Sequence, residues 1–396
     1  MDRVQPILAR KLLNVIPYGR QTIEEDDVEA VVGVLRSDFL TQGPAVPEFE
    51  RAVTAYCGAQ FGVAVNSATS ALHLACKALG LGPGSRAWTS PISFVASANC
   101  ILYCGASVDF VDVDPSTANI STDALEEKLR VAEREGNLPA VVIPVHMCGQ
   151  SCDMKRIWEL GQRFGFRIIE DASHAIGARY HDEPVGNCRY SDVTVFSFHP
   201  VKIVTTGEGG MAVTNNPALA ERMVLLRSHG ITRDSAAMAS SSEGGWYYEQ
   251  RDLGFNYRMT DIQAALGCSQ MSKLERFVSA RARLADRYTN ALASGPAQPL
   301  MRSAECTSSW HLYVVAVEDR RRVYDAMRSA GIGVNVHYIP IYRQPYYRLL
   351  GPIQRPLPGA ETYYSKALTL PLYPQMTDGQ QDHVVNTLAR VLDYPA

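Results

Sequence analysis

No stretch of this chain approaches the ~20 consecutive apolar residues of a membrane span. Neither sign of charge dominates: 38 Lys and Arg stand against 41 Asp and Glu, a net charge of −3, so the basic footprint of a nucleic-acid-binding protein is missing. There is no internal repeat, low-complexity segment or long charge run, which sets aside repeat architectures. Met1 to Ile16 mixes Arg, Lys, Gln and Asn with aliphatics and has neither the apolar core nor the small-residue cleavage site of a secretory signal. Nine cysteines, an odd number scattered from Cys57 to Cys306, do not form a disulfide framework and fit the reduced thiols of a cytoplasmic protein. One local cluster, His146, Cys148 and Cys152, has zinc-like spacing. No second ligand pair follows it, a glycine-containing loop after a strand accounts for it better, and no metal is expected.

What is present is length and alternation. The 396 residues suffice for two domains and a large core. Apolar periodicity predicts helices over Glu24–Ser37, Val46–Cys57, Ser70–Leu79, Phe94–Tyr103 and Met154–Phe164. Short apolar runs predict strands over Phe61–Val65, Arg86–Thr89, Ser107–Val113, Ala140–Val145, Phe166–Glu170, Asp192–Phe198 and Gly210–Thr214. Strands separated by helices indicate an α/β fold with a mostly parallel sheet. A helix over Thr260–Ala293 introduces a change of pattern, with strands at Leu312–Val317 and Val334–His337 around a helix at Arg321–Ala330. The expected division is a large domain, 1–265, and a smaller C-terminal α/β domain, 266–396. Arg233–Glu249, poor in aliphatics, reads as a mobile loop. Ligands of parallel sheets bind beyond the carboxyl ends of the strands, where Asn66, Thr89, Asp114, His146 and Asp171 could converge.

Lys202 sits in the run Ser197–Gly210, between apolar neighbours and ahead of Gly207, Gly209 and Gly210. An isolated lysine in a loop is ordinarily a solvated surface group. Burial, however, lowers a lysine's pKa and frees its amine for Schiff-base chemistry. Asp171 ends the apolar run Phe166–Glu170. An amine and a buried acid are what pyridoxal phosphate requires, the acid keeping the ring nitrogen protonated. Asp171 is equally readable as a helix cap, and His174 as a structural histidine. Asn66–Leu72 is a small-residue turn into a helix. Ser67, Ala68 and Thr69 there could present N–H groups and hydroxyls to a phosphate, or could simply cap the helix. Ser197 adds a hydroxyl. Phe94 could stack on a pyridine ring or belong to the core.

Together Glu170–Ala175, Ser197–Gly210 and Gly254–Ala265 resemble the DegT/DnrJ/StrS-type sugar aminotransferases, and the resemblance runs from Ile16–Gln21 to Pro371–Pro374. It implies the aspartate aminotransferase-like fold type I and pyridoxal 5′-phosphate as cofactor. By similarity, Lys202 forms the Schiff base and Asp171 pairs with the ring nitrogen. Thr69, Ser197 and the Ser67–Ala68 turn hold the phosphate, Phe94 stacks on the ring, and His174 contacts the cofactor. Many relatives have glycine where this chain has Ala68. Asn256 would reach the phosphate of a neighbouring subunit, implying a homodimer with shared sites. Relatives that dehydrate their sugar carry histidine at the lysine position, so Lys202 argues for transamination. The implied donor is L-glutamate and the acceptor a nucleotide-linked 4-keto-6-deoxy sugar. Pro144–His146, Gly149–Ser151, Arg227–Ile231, Tyr247–Gln250 and Val336–Pro340 are similar to members acting on UDP-2-acetamido-2,6-dideoxy-β-L-arabino-hex-4-ulose in pseudaminic acid biosynthesis. A dTDP- or GDP-linked sugar, or a non-catalytic cofactor-binding regulator, are the alternatives. Arg227, His229, His311, His337 and Tyr338 are unranked candidates for the substrate diphosphate.

Overall fold

The computed structural model describes residues 15–393 apart from 241–242 and 352–354. Nearly all of the segment Met1–Ile16, from which a secretory signal was judged missing, lies outside the described residues. The large sheet has seven strands: β1 (Phe61–Val65), β2 (Arg86–Thr89), β3 (Ser107–Phe110), β4 (Val141–Ile143), β5 (Arg167–Asp171), β6 (Val193–Ser197) and β7 (Gly210–Thr214). Their spatial order is β1-β7-β6-β5-β4-β2-β3. Six strands run parallel, and β7 is antiparallel to both of its neighbours, β1 and β6.

The two-residue pleat sorts each strand between two helical layers. Val63, Val65, Val141, Ile143, Ile169, Val193 and Val195 join one core with α3 (Ala68–Ala78), α4 (Ala96–Tyr103) and α7 (Pro217–Arg227). Ala64, Phe196, Met211 and Val213 face the other way, against α2 (Ala45–Cys57) and α8 (Asp261–Met271). Val142 and Ile168 do the same against α5 (Thr122–Glu135) and α6 (Met154–Phe164). Burial on both faces explains why these strands read as continuous apolar runs. In α2, Val46, Phe49 and Val53 form the buried stripe, and Phe49 meets Phe198 with ring centroids 5.0 Å apart. Each such side chain contributes about 1.5–3 kcal/mol.

The expected helix Thr260–Ala293 is two helices, α8 and α9 (Leu274–Leu292). The break at Ser272–Lys273 carries the Lys273 ammonium into contact with Asp26 (2.6 Å) and the buried Asp27 (2.8 Å). Within α9 the packing changes partner. Leu274, Phe277 and Val278 belong to the large core, whereas Leu284, Ala285, Tyr288 and Leu292 belong to the second. Along α9 the change of cluster falls between Val278 and Leu284, because one apolar stripe can serve two cores. The second core is closed by α10 (Arg320–Ser329), by a final helix, Asp378–Val391, and by an antiparallel three-stranded sheet. Ile16 joins this second core and bridges Ile332.

Two expected elements changed. Val334–His337 forms one bridge, Asn335 to Thr369, and no strand. Arg233–Glu249 lies between the paired strands Ile231–Thr232 and Glu249–Gln250, and the Glu249 carboxylate accepts from the N–H groups of Ala239 and Ser240. Helices α5, α7 and Asp378–Val391 had no counterpart in the expectation. Each nevertheless has a side-chain cap, from Ser121, Asn216 and Thr377 respectively.

Candidate active site

The carboxyl ends of the parallel strands open onto one cavity of about 980 Å³. Strand β1 delivers Asn66 and the start of α3. The turn after β2 delivers Ser93 and Phe94. Strand β5 ends on Asp171, and β6 ends on Ser197 with Lys202 five residues on. Residues Tyr18, Asn335, Val336, His337 and Tyr338 also line the cavity.

Lys202 is partly buried, and its Nζ has no hydrogen-bond partner among the described residues. Burial pushes its pKa down to about 8, the nearby Asp171 carboxylate opposing the shift. About a tenth of the amine is therefore free at pH 7, far more than for an exposed lysine. In the cofactor-free protein, acylation of Lys202 should rise through about pH 8 instead of the 10.5 of an exposed lysine, as quantitative peptide mapping after pulse labelling would read. The same depression has a stability sign. Between the two values the unfolded chain binds more protons, so this group's contribution to stability rises with pH from about 8 to 10.5.

Asp171 is 3% exposed. Its Oδ2 accepts from Ser97 Oγ at 2.6 Å, and its Oδ1 accepts from Ser173 Oγ at 2.6 Å and from Ser173 N–H at 3.2 Å. His174 Nε2 lies 3.2 Å from the Tyr338 hydroxyl, and its Nδ1 is buried without a partner. Burial, and after it the Lys202 charge, holds His174 well below the usual histidine range. His337 is pushed down to about 4 by the same causes in the same order. Both are neutral at pH 7, and the His337 ring is held with Nδ1 2.8 Å from Thr369 Oγ1 and Nε2 3.4 Å from Asn335 Nδ2.

At the opening of α3, the Ser67 hydroxyl caps the helix by accepting from Ser70 N–H at 3.1 Å. The N–H groups of Ala68 and Thr69 fall in the first turn, where no carbonyl lies four residues back. With the Thr69 and Ser197 hydroxyls they form a donor set suited to a phosphate dianion. The structural cap and the anion site are thus the same turn. Gly210 makes it possible: a Cβ there would fall 2.4 Å from Ala68 N and 2.5 Å from the Ser67 carbonyl carbon. Gly210→Ala should displace the turn, with an overpacking cost of about 1–3 kcal/mol. Equilibrium dialysis should show about tenfold weaker binding of pyridoxal phosphate, and thermal melting a lower Tm. Phe94 is 60% exposed, presenting a ring face rather than filling the core.

Several expected contacts lie elsewhere. Arg227 is spent on Glu50 (2.6 Å) and the Ala64 carbonyl (2.8 Å), because it closes α7 beneath the sheet edge. His229 does not line the cavity. It holds a left-handed turn (φ 62°) whose N–H donates to the Phe255 carbonyl. His311 is buried behind His174, with ring centroids 4.3 Å apart, and does not reach the cavity. Asn256 is exposed outside it. Thr89 donates to the Ile143 carbonyl, and Asp114 accepts from Ser116, so neither converges on the site. His146 lies below it. Its Nε2 meets Glu170 at 2.7 Å and its Nδ1 accepts from Cys152 N–H at 3.1 Å, leaving no ring nitrogen for a metal. Tyr18, Ser93, Ser97, Ser173, Glu208, Gln263 and Asn335 escaped the sequence reading. The signal available was adjacency, since most lie within a few residues of a residue already singled out.

The donor set, the shielded acid and the unpaired amine fit pyridoxal phosphate on geometry alone. The comparisons agree. Residues 21–389 match the DegT/DnrJ/EryC1/StrS aminotransferase family. The spore coat polysaccharide biosynthesis protein SpsC of Bacillus subtilis is 36% identical over 97% of this chain and 99% of its own. The UDP-4-amino-4,6-dideoxy-N-acetyl-β-L-altrosamine transaminase of Campylobacter jejuni is 36% identical over 96% and 98%. Among solved structures, Helicobacter pylori PseC, an aminotransferase of pseudaminic acid biosynthesis, superposes with a TM-score of 0.87 at 30% identity, covering 96% of this chain and 99% of that one. A sugar aminotransferase of Streptococcus pneumoniae, Spr1654, superposes over the same shares with TM-scores of 0.87 in its PMP form and 0.86 in its PLP form, at 31% and 30% identity. The chain therefore belongs to the DegT/DnrJ/EryC1/StrS aminotransferase family and is a pyridoxal 5′-phosphate-dependent sugar aminotransferase.

Proposed function

We propose that this enzyme moves an amino group from L-glutamate to C4 of a UDP-linked 4-keto-6-deoxy sugar, UDP-2-acetamido-2,6-dideoxy-β-L-arabino-hex-4-ulose. The observation that carries the chemistry is the Lys202 amine, brought down to about pKa 8 on the wall of a cavity that also holds the Asp171 carboxylate. The sugar rests on likeness to the Campylobacter transaminase and to PseC. When bound, pyridoxal 5′-phosphate supplies the electron sink for the pair left by a departing α-proton. Lys202, as the neutral amine, takes that proton from glutamate and returns one to C4 of the sugar. Asp171 would pair with the ring nitrogen. The first turn of α3, with Thr69 and Ser197, would anchor the phosphate, and Phe94 would cover the ring. His337 and Tyr338, which line the same cavity, would orient the sugar by hydrogen bonds. A cytoplasmic setting is supported by nine unpaired cysteines, seven of them buried. Among the described residues no helix is long and apolar enough to cross a membrane.

The substrate is tested by assaying purified enzyme with glutamate and 4-keto-6-deoxy sugars carried on UDP, dTDP or GDP. The UDP sugar should be turned over at least roughly 10²-fold more efficiently, the discrimination given by a site that pairs a substrate's polar groups. Faster use of a dTDP or GDP sugar would sink the assignment.

The working unit is a homodimer in which Asn256 completes the partner's phosphate site. Its side chain is exposed and does not line the cavity of its own chain, which leaves it available to a second copy. Asn256→Asp would set a carboxylate against the phosphate. Mixing that variant with Lys202→Ala, each inactive alone, should restore activity to about a quarter of the sites, the fraction in which an intact lysine meets an intact asparagine across a twofold axis. No restoration after confirmed subunit exchange would mean that each site is built from one chain.

A further inference from the structure

One group of buried hydroxyls has no part in the chemistry described so far. Ser97 is fully buried in the first turn of α4, and its Oγ stands 2.6 Å from Asp171 Oδ2. The same Oγ is 2.7 Å from Ser93 Oγ. Its other possible acceptor, the Phe94 carbonyl, is at 3.4 Å. A hydroxyl has one proton. The charged acceptor at the shorter distance takes it, so Ser97 donates to Asp171 and Ser93 donates to Ser97.

The two oxygens of Asp171 are held differently. Ser173, which serves Oδ1, lies two residues along the same loop and moves with it. Ser97 lies 74 residues away on a helix fixed in the core by Ala96, Cys100 and Ile101. Among the described residues Ser97 therefore supplies the one side-chain contact that ties the carboxylate to a separate rigid element. That element begins just after Phe94, so a single segment, Ser93–Ser97, carries both the exposed ring and the hydroxyl that aims the acid. Ser97 itself is 0% exposed.

We infer that Ser97 is a positioning residue of the transamination reaction: by donating to Oδ2 it holds the Asp171 carboxylate aimed at the cofactor's ring nitrogen, with Ser93 orienting the Ser97 hydroxyl in turn. Without that donor the carboxylate is free to turn away from the ring. An acid out of line cannot hold the ring nitrogen protonated, and the electron sink weakens. The inference rests on the pairing of Asp171 with that nitrogen, and the experiment separates the two.

The protein is loaded with pyridoxal phosphate labelled with ¹⁵N in the ring, and the nitrogen chemical shift, which reports its protonation, is recorded for wild type and for Ser97→Ala, Ser97→Thr and Asp171→Asn. Cofactor affinity is measured separately on the cofactor-free forms. Ser97→Ala should move the resonance towards the unprotonated position, weaken cofactor binding about tenfold and lower kcat about tenfold with little change in KM for the sugar. Ser97→Thr, which keeps the hydroxyl, should stay within about threefold of wild type in each. A folded Ser97→Ala protein with unchanged resonance and affinity overturns the inference, provided Asp171→Asn shifts the resonance. If Asp171→Asn leaves the resonance unmoved, the pairing itself is wrong. Should Ser97→Ala not fold, Ser97→Cys, a near-isosteric and weaker donor, replaces it. An intermediate shift then supports the inference and a wild-type resonance overturns it.

Discussion

Replacing Lys202 with arginine should abolish turnover. The guanidinium stays protonated at any working pH, so it can neither bond covalently to the cofactor nor accept an α-proton. Loss of positioned proton transfer alone accounts for up to about 10⁴-fold. Loss of the covalent role adds to that, so residual activity should fall below detection in a coupled assay for 2-oxoglutarate. The phosphate turn at α3 is untouched, and the variant should still bind the cofactor non-covalently. Borohydride reduction followed by peptide mapping is the sharper measurement. In the wild type the cofactor mass should map to the peptide carrying Lys202, and in the variant to no peptide. A reduced adduct on another lysine, or one that persists in the variant, would place the reactive amine elsewhere.

Asp171→Asn should lower kcat by about 10³-fold, the upper range for losing one preorganised charge at a site where charge develops. The amide is close to the carboxylate in shape, so packing and the Ser97 contact can survive with the hydrogen-bond roles altered. The loss should therefore fall on kcat, with KM for the sugar changed by less than about threefold, because in the proposed function the sugar is held by His337 and Tyr338 rather than by Asp171. Both half-reactions depend on the same sink, so single-turnover rates with glutamate and with the keto sugar should fall together. A loss confined to one half-reaction would mean that Asp171 serves a substrate and not the ring.

Much of the site was legible because its pieces are local. Ser67–Thr69 opens a helix directly after a strand, Asp171 ends a strand, and Lys202 follows another by five residues. A parallel sheet brings all such positions to one edge, and each of these residues lines the cavity. The helices that escaped notice, α5 among them, have polar outer faces that dilute their apolar stripe; α5 buries Leu125, Leu129 and Ala132 along 14 residues. The substrate wall was harder to read. His337 and Tyr338 were named and do line the cavity, but Arg227, His229 and His311, named with them, do not. Nothing in a run of amino acids distinguishes an arginine aimed at a ligand from one held by Glu50.

Local order in the chain was enough to determine the α/β alternation and to place the Ser67–Thr69 turn, Asp171 and Lys202 at or just after strand ends, because strand pleat, helix period and glycine turns act over a few residues. Tertiary structure decided which polar groups meet. Tyr338 reaches His174 across 164 residues and Ser97 reaches Asp171 across 74. Contacts of that span come from how whole layers pack, and no short-range pattern records them. The same packing decided that α9 would serve two cores and that His174 and His337 would be neutral, since desolvation belongs to the folded surroundings and not to the residue.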